Sequence, residues 1–189
     1  MAGLYLNLGC GSQFMEGYVN VDKFGDPEVQ LDLETFPWPW EDNSVAGIEL
    51  RHVLEHLGQD SDTYVKIIQE IYRICEPGAI VHIVVPHHRH DNFVHDPTHV
   101  RPITFFGLTM FSKRLNRAWQ ANGYATTPLG LYLDVDFEWV TVCHVGSNVW
   151  ERLREGKTRE EKQSLKLLEQ SAFFNNLIDE VDITLEVVK

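Results

Sequence analysis

Leu4-Tyr5-Leu6-Asn7-Leu8-Gly9-Cys10-Gly11-Ser12 is the stretch that decides the fold. Its alternating leucines form a short apolar segment, and two glycines one residue apart stop it, so the run reads as a buried strand entering a tight turn. Gly9 and Gly11 have no Cβ, which lets backbone approach a ligand and lets φ turn positive. Val19-Asn20-Val21-Asp22 reads as a second short strand with a carboxylate at its carboxyl end. In an open parallel sheet that edge is where ligands sit, and an acid placed there can accept both hydroxyls of a ribose.

A nicotinamide-type fingerprint would put a third glycine at position 14, where this chain has Phe14, and an acid about 20 residues further on, whereas Asp22 is much closer. The string Leu6-Asn7-Leu8-Gly9-Cys10-Gly11-Ser12 instead resembles the first motif of the class I S-adenosylmethionine (SAM)-dependent methyltransferases, whose cofactor has ribose hydroxyls and no phosphate. A parallel crossover normally takes a dozen or more residues, and Gly11 to Asp22 hardly allows a helix, so the first crossover helix is expected to be shortened or absent. Gly17-Tyr18-Val19-Asn20-Val21-Asp22 resembles the Gly-aromatic-Val-Asn-Val-Asp run of a methyltransferase type 11-like group that shares this abbreviation. The resemblance implies that Leu8, Gly9, Cys10, Gly11 and Asp22 bind SAM.

Further along, Val29 to Leu33 reads as a third strand, and Asp32 at its end is either an acid against the adenine amino group, as the resemblance implies, or a cap on the following turn. Trp38 and Trp40 read as anchors of a proline-rich loop. Val45 to Leu50 is the fourth strand, and Arg51 to Gly58 a short helix closed by glycine. The Phe36 to Ser44 loop and His52-Val53-Leu54-Glu55-His56 together resemble the Pro-aromatic-x-Asp-Asn-Ser and His-Val-Leu-Glu-His stretch of the same family. Ser61 or Asp62 is expected to cap an amphipathic helix carrying Ile67, Ile68 and Ile71, and Ile80 to Pro86 is the fifth strand. A helix over Thr109 to Asn122, a long β segment over Leu131 to Val145 with one wet face, since Asp134, Asp136 and Glu138 alternate with Leu133, Val135 and Phe137, a helical insertion at about 149–178 and a last strand from Val181 complete the chain. The expectation is one α/β domain over 1–189, with a Rossmann-like, mostly parallel seven-stranded sheet and flanking helices. Because residues 12–18 are too few to shield one sheet face, Leu165, Leu168, Phe173, Phe174 and Leu177 of the insertion, or a second subunit, are expected to cover it.

The implied reaction is methyl transfer to an O or N nucleophile of a small molecule or sugar. Positioning does most of that work, and a general base is needed when the nucleophile is protonated. His52, His56 and His99 are the catalytic candidates, with His88 and His90 as further bases, and the resemblance also places His52 beside the cofactor. His99 lies in Asp96-Pro97-Thr98-His99-Val100-Arg101, which resembles an element that follows the fifth strand in that family. On a helix, His52, Glu55 and His56 at i, i+3 and i+4 would share one face about 5–6 Å apart at Cβ, and with His99 they make a four-ligand shell for a divalent metal. The alternative function is a SAM-binding module without transferase activity that serves a regulatory or assembly role.

Composition narrows the partners. The chain has 189 residues, 43% hydrophobic and 23% charged, and a formal net charge of −12, which opposes general nucleic-acid binding. No apolar run is long enough for a membrane span and no signal-peptide pattern opens the chain, so a cytoplasmic monomer or homodimer is expected. Cys10, Cys75 and Cys143 are few, odd in number and widely spaced, as expected of reduced cysteines.

Overall fold

Leu6, Leu8, Ile48, Leu50, Val81, Ile83, Val85, Ile183 and Leu185 alternate along neighbouring strands and are buried together on one side of a sheet. The computed structural model describes residues 3–156, 158, 166–171 and 174–189. Among these the strands are β1 (Leu4–Leu8), β2 (Val19–Asp22), β3 (Val29–Gln30), β4 (Val45–Arg51), β5 (Cys75–Pro86), β6 (Phe137–Gly146) and β7 (Ile178–Val187). They form a seven-stranded sheet in the order β3-β2-β1-β4-β5-β7-β6. The pairs from β3 to β5 are parallel, and β7 runs antiparallel to both β5 and β6. The order reverses at β1, so the carboxyl ends of β1, β2 and β4 open onto one crevice.

Helix α1 (Ser61–Ile74) covers the apolar face with Ile67, Ile68, Ile71 and Ile74. Its cap is Asp60, ahead of the expected Ser61 or Asp62, because the Asp60 carboxylate is the one that reaches the Thr63 N–H. Arg73 near its end donates to Glu70, Asp42 and the carbonyls of Trp38 and Trp40, which ties the Trp loop to the domain. Trp38 is buried and donates its indole N–H to Leu33, so the anchoring role expected of it holds.

No helix joins β1 to β2; residues 9–18 form turns. Asn7 and Asn20 are register partners on the face the helix would cover, and both are buried. Asn7 donates to Asn20 Oδ1 at 2.8 Å and to the Gln13 carbonyl, while Asn20 Oδ1 accepts the Met15 N–H and its amide donates to Met15 and Glu28. Two side-chain amides thus satisfy backbone that a helix would have satisfied internally.

Farther along, that face is polar and half-exposed. His82 bridges Glu49 and Asp182 across β4, β5 and β7 at 2.8 Å on either side. The expected apolar face needing a cover therefore carries few apolar groups. Of the residues assigned to cover it, Phe174 is exposed and Leu177 buried, whereas Leu165, Phe173 and the side chain of Leu168 lie outside the described residues. The insertion supplies one helix at Asn148–Arg154 and a short one at Leu167–Ser171.

Several boundaries differ from the sequence expectations. The third strand stops at Gln30 instead of Leu33, because Asp32 accepts the Glu34 N–H and turns the chain. The helix expected over Thr109 to Asn122 is two, Phe105–Thr109 and Lys113–Ala121, with Ser112 capping the second. The β segment expected from Leu131 begins at Phe137, since Leu129–Leu133 is a helical turn that ends at Asp134 with φ 55°. Asp134, Asp136 and Glu138 alternate because they meet Lys113 and Arg114: Asp134 pairs with the Lys113 ammonium, Asp136 accepts the Lys113 N–H, and Glu138 pairs with Arg114.

Candidate functional site

A cavity of about 370 Å³ sits at the switch in strand order, between the glycine turn after β1 and the segment after β4. Its apolar wall is Leu31, Leu33, Val53 and Leu57; its carboxylates are Asp22 and Asp32; its imidazoles are His52 and His56, with Thr98 beside them. Gly9 has φ 67°, and a Cβ there would stand 2.5 Å from a Val53 methyl, so only glycine allows this approach of turn and wall. Asp22 Oδ2 accepts the Gly11 N–H and Oδ1 the Phe24 N–H, each at 2.8 Å. The carboxylate therefore shapes the turn while facing the cavity. Leu8 and Cys10 are buried behind it, and burial, with Asp22 next, raises the Cys10 thiol pKa.

The segment after β4 is not the expected helix. His52 has φ 54° and donates its N–H to the Val84 carbonyl, which holds it at the strand end, and only Leu54–His56 makes a 3₁₀ turn. The i, i+3, i+4 face assumed for His52, Glu55 and His56 accordingly does not exist. His52 lies between two carboxylates, with Nε2 3.0 Å from Glu180 and Nδ1 3.5 Å from Glu55, whose carboxylate raises its pKa.

Glu55, His56 and His99 do come together, each offering a ligand atom within 4.8 Å of the others. The Asp96 to Arg101 strap accomplishes this. Val100 and Arg101 donate their backbone N–H groups to the Glu55 carbonyl, and the Arg101 guanidinium donates to Gly58 and stacks 4.3 Å over Tyr64. Thr98 donates its hydroxyl to Asp96 and so accepts from His56 Nδ1, while His99 Nδ1 donates to the Phe93 carbonyl. His88 and His90 do not line the cavity; His90 caps Asp91–His95 and pairs with Asp179 at 2.8 Å. Sequence reading assigned no role to Val53, Leu57 or Thr98; for Thr98 the signal was its place between Asp96 and His99.

His87, at the end of β5, is buried, and desolvation with the nearby His88 lowers its pKa from the usual 6.5 to about 4. The unfolded chain takes up this proton near the ordinary value, so the stability it carries is present above about pH 6.5 and is lost as pH falls toward 4, by at most about 3 kcal/mol. Burial also lowers His88 and His144. Thermal melts from pH 7 to 4 should therefore fall less steeply for His87→Gln than for the wild type. Parallel slopes would assign the acid sensitivity elsewhere.

No family model matches the sequence, and no curated protein matches it. Solved structures do. A SAM-dependent methyltransferase from Archaeoglobus fulgidus is 18% identical with a TM-score of 0.59, over 97% of this chain and 86% of that one. The YcgJ protein from Bacillus subtilis is 16% identical with a TM-score of 0.53, over 99% and 92%. The 1,6-didemethyltoxoflavin-N1-methyltransferase of Burkholderia thailandensis, solved with 1,6-didemethyltoxoflavin and S-adenosylhomocysteine, is 15% identical with a TM-score of 0.51, over 98% and 71%. No helix among the described residues is long and apolar enough to cross a membrane. With this strand order, the crevice at the reversal and these likenesses, the chain has the Rossmann-like fold of the class I SAM-dependent methyltransferases.

Proposed function

We propose that the chain is a SAM-dependent methyltransferase that methylates an oxygen or nitrogen nucleophile of a small molecule or sugar. The observation that carries this reading is one cavity with carboxylates and an apolar wall on the cofactor side and imidazoles beside them. The donor set suits an adenosyl group: Leu31, Leu33, Val53 and Leu57 for the base, Asp22 for the ribose hydroxyls and Asp32 for the adenine amino group. Asp32 would do this while still accepting the Glu34 N–H, so the cap and the contact are compatible. Gly9 of the glycine turn lines the cavity, and its chain neighbours Leu8, Cys10 and Gly11 would contribute backbone around the cofactor, with His52 at its far end.

When bound, SAM supplies an electrophilic methyl on a sulfonium. The chain's task is to align an acceptor with that methyl and manage one proton. His56 is the residue best arranged for the proton, since its Nδ1–H is committed to Thr98 and its Nε2 keeps a lone pair. His56 Nε2 would take the proton released from the acceptor's O–H or N–H as the acceptor is methylated, the sulfonium leaving as a neutral thioether. A divalent ion held by His56 Nε2 would replace this base role, acidifying the acceptor so that its proton leaves to solvent. His99, on the strap, packs edge to face against His56, with its Nε2 4.0 Å from Glu55.

The test is titration calorimetry with S-adenosylhomocysteine, followed by release of that product from SAM over a panel of sugars, phenols and amines. One site per chain and acceptor-dependent release are expected. Absence of binding at millimolar ligand removes the reading, and binding without release across the panel leaves the non-catalytic SAM module.

A further inference from the structure

We infer that Glu55, His56 and His99 form a binding site for one divalent first-row transition-metal ion beside the cavity. Three ligand atoms, one from each residue, lie within 4.8 Å of one another. The independent observation is the state of Glu55. Its side chain is fully buried, and neither carboxylate oxygen has a hydrogen-bond partner. A buried carboxylate is costly unless a cation or hydrogen bonds compensate it. The nearest side-chain nitrogens recorded around it are His52 Nδ1 at 3.5 Å and His99 Nε2 at 4.0 Å, too far or too poorly aligned for hydrogen bonds.

The imidazoles are prepared as ligands on the opposite side of each ring. His99 donates Nδ1–H to the Phe93 carbonyl at 2.9 Å, and His56 donates Nδ1–H to Thr98, which is held in turn by Asp96. Both rings are thereby fixed as the tautomer whose Nε2 carries a lone pair, which is the outer arrangement metal-binding histidines require. The two rings meet edge to face with centroids 4.5 Å apart. Two imidazole nitrogens and one carboxylate oxygen suit zinc, manganese, iron, cobalt or nickel better than calcium or magnesium, which favour all-oxygen shells.

Three protein ligands leave coordination positions open. His56 and Thr98 also line the cavity, so those positions border it. There the ion would take the oxygen of an acceptor hydroxyl and lower its pKa, the acceptor proton then leaving to solvent. That last clause rests on the methyltransferase reading; the ion site rests on the three side chains alone. His52 is outside the donor set, because its Nε2 is engaged by Glu180 and its ring is half-exposed.

The experiment uses untagged full-length protein, stripped with chelator, dialysed and titrated with Co²⁺ and with Zn²⁺ by calorimetry and, for Co²⁺, by visible absorption. One ion per chain and a saturable d–d band are expected. His99→Ala and Glu55→Gln should each weaken Co²⁺ binding at least tenfold, and His52→Gln should leave it within about threefold. Absence of saturable binding to the wild type overturns the site, as does His99→Ala binding at wild-type affinity. Ion affinity that falls with His52→Gln and survives His99→Ala overturns the donor set. If Glu55→Gln fails to fold, His99→Ala, on the strap outside the core, carries the decision. The same stripped protein is titrated with S-adenosylhomocysteine: cofactor binding without ion binding sinks the ion site alone, and ion binding without cofactor binding sinks the function proposed above alone.

Discussion

Asp22→Ala is expected to weaken SAM and S-adenosylhomocysteine binding by at least tenfold, and by up to about a hundredfold, in a protein that still folds. Hydrogen bonds to a charged group contribute about 1.5–3 kcal/mol each, and one ribose hydroxyl lost from a carboxylate already accounts for the lower figure. A second effect adds to it. Asp22 also accepts the N–H groups of Gly11 and Phe24, so its removal loosens the turn that approaches the ligand. Asp22→Asn separates the two contributions, because the amide keeps an acceptor for one of these N–H groups and loses the charge. Calorimetry with S-adenosylhomocysteine, on variants whose near-ultraviolet circular dichroism matches the wild type, is the measurement. Unchanged affinity in Asp22→Ala would remove Asp22 from the cofactor site.

Asn20→Ala should cost about 2–4 kcal/mol of stability, the largest loss expected from any polar residue in this region. The substitution leaves one Asn7 amide hydrogen, the Met15 N–H and the Met15 carbonyl without the partner that satisfies them, in a place where water reaches poorly, while Glu28 keeps the backbone N–H of residue 20. Each unsatisfied buried group costs about 1–3 kcal/mol, and partial hydration of the loop keeps the total below a simple sum. For a chain of this length that corresponds to a fall in Tm of roughly 5–15 °C. Urea unfolding of the two proteins measures it, and a loss under about 1 kcal/mol would mean that the loop over 12–18 repacks without the amide pair. Because the same loop carries Gly11, S-adenosylhomocysteine affinity should fall with stability in this variant.

The strand-and-turn grammar of this chain is local, and it was legible. Leucines at alternate positions, two glycines one residue apart and an acid four residues into the next apolar run are dictated by pleat period and by backbone that no Cβ permits. Isoleucines at helical spacing between Asp60 and Cys75 likewise place α1 on the sheet whatever surrounds it. The count of residues between Gly11 and Asp22 left room for a shortened crossover helix or none, and the structure has none there. The Asn7 and Asn20 pair that replaces it was present in the sequence as two asparagines among apolar neighbours, but their being register partners is a fact of strand pairing. Elsewhere local periodicity misled: Asp134, Asp136 and Glu138 alternate like a wet strand face, yet they alternate to meet Lys113 and Arg114, more than 20 residues earlier in the chain.

The site divides along the same line. Gly9 and Asp22 sit at strand ends and Asp32 just past one, and the topology of an open parallel sheet sends strand ends to one edge, so their gathering around one cavity followed from the sequence by itself. The imidazole side did not. Spacing in Arg51 to Gly58 grouped His52 with Glu55 and His56, whereas a left-handed backbone at His52, fixed by its hydrogen bond to Val84, turns that ring toward Glu180. His99 reaches Glu55 from 44 positions away because Val100 and Arg101 bond the Glu55 carbonyl and Arg101 clamps Gly58 and Tyr64. Sequence alone determined the fold and which strand ends line the cavity, since both depend on period, glycine and chain length. Which histidines cluster with the buried Glu55 was decided only by tertiary structure, because it depends on one positive φ and on hydrogen bonds between segments that no local pattern encodes.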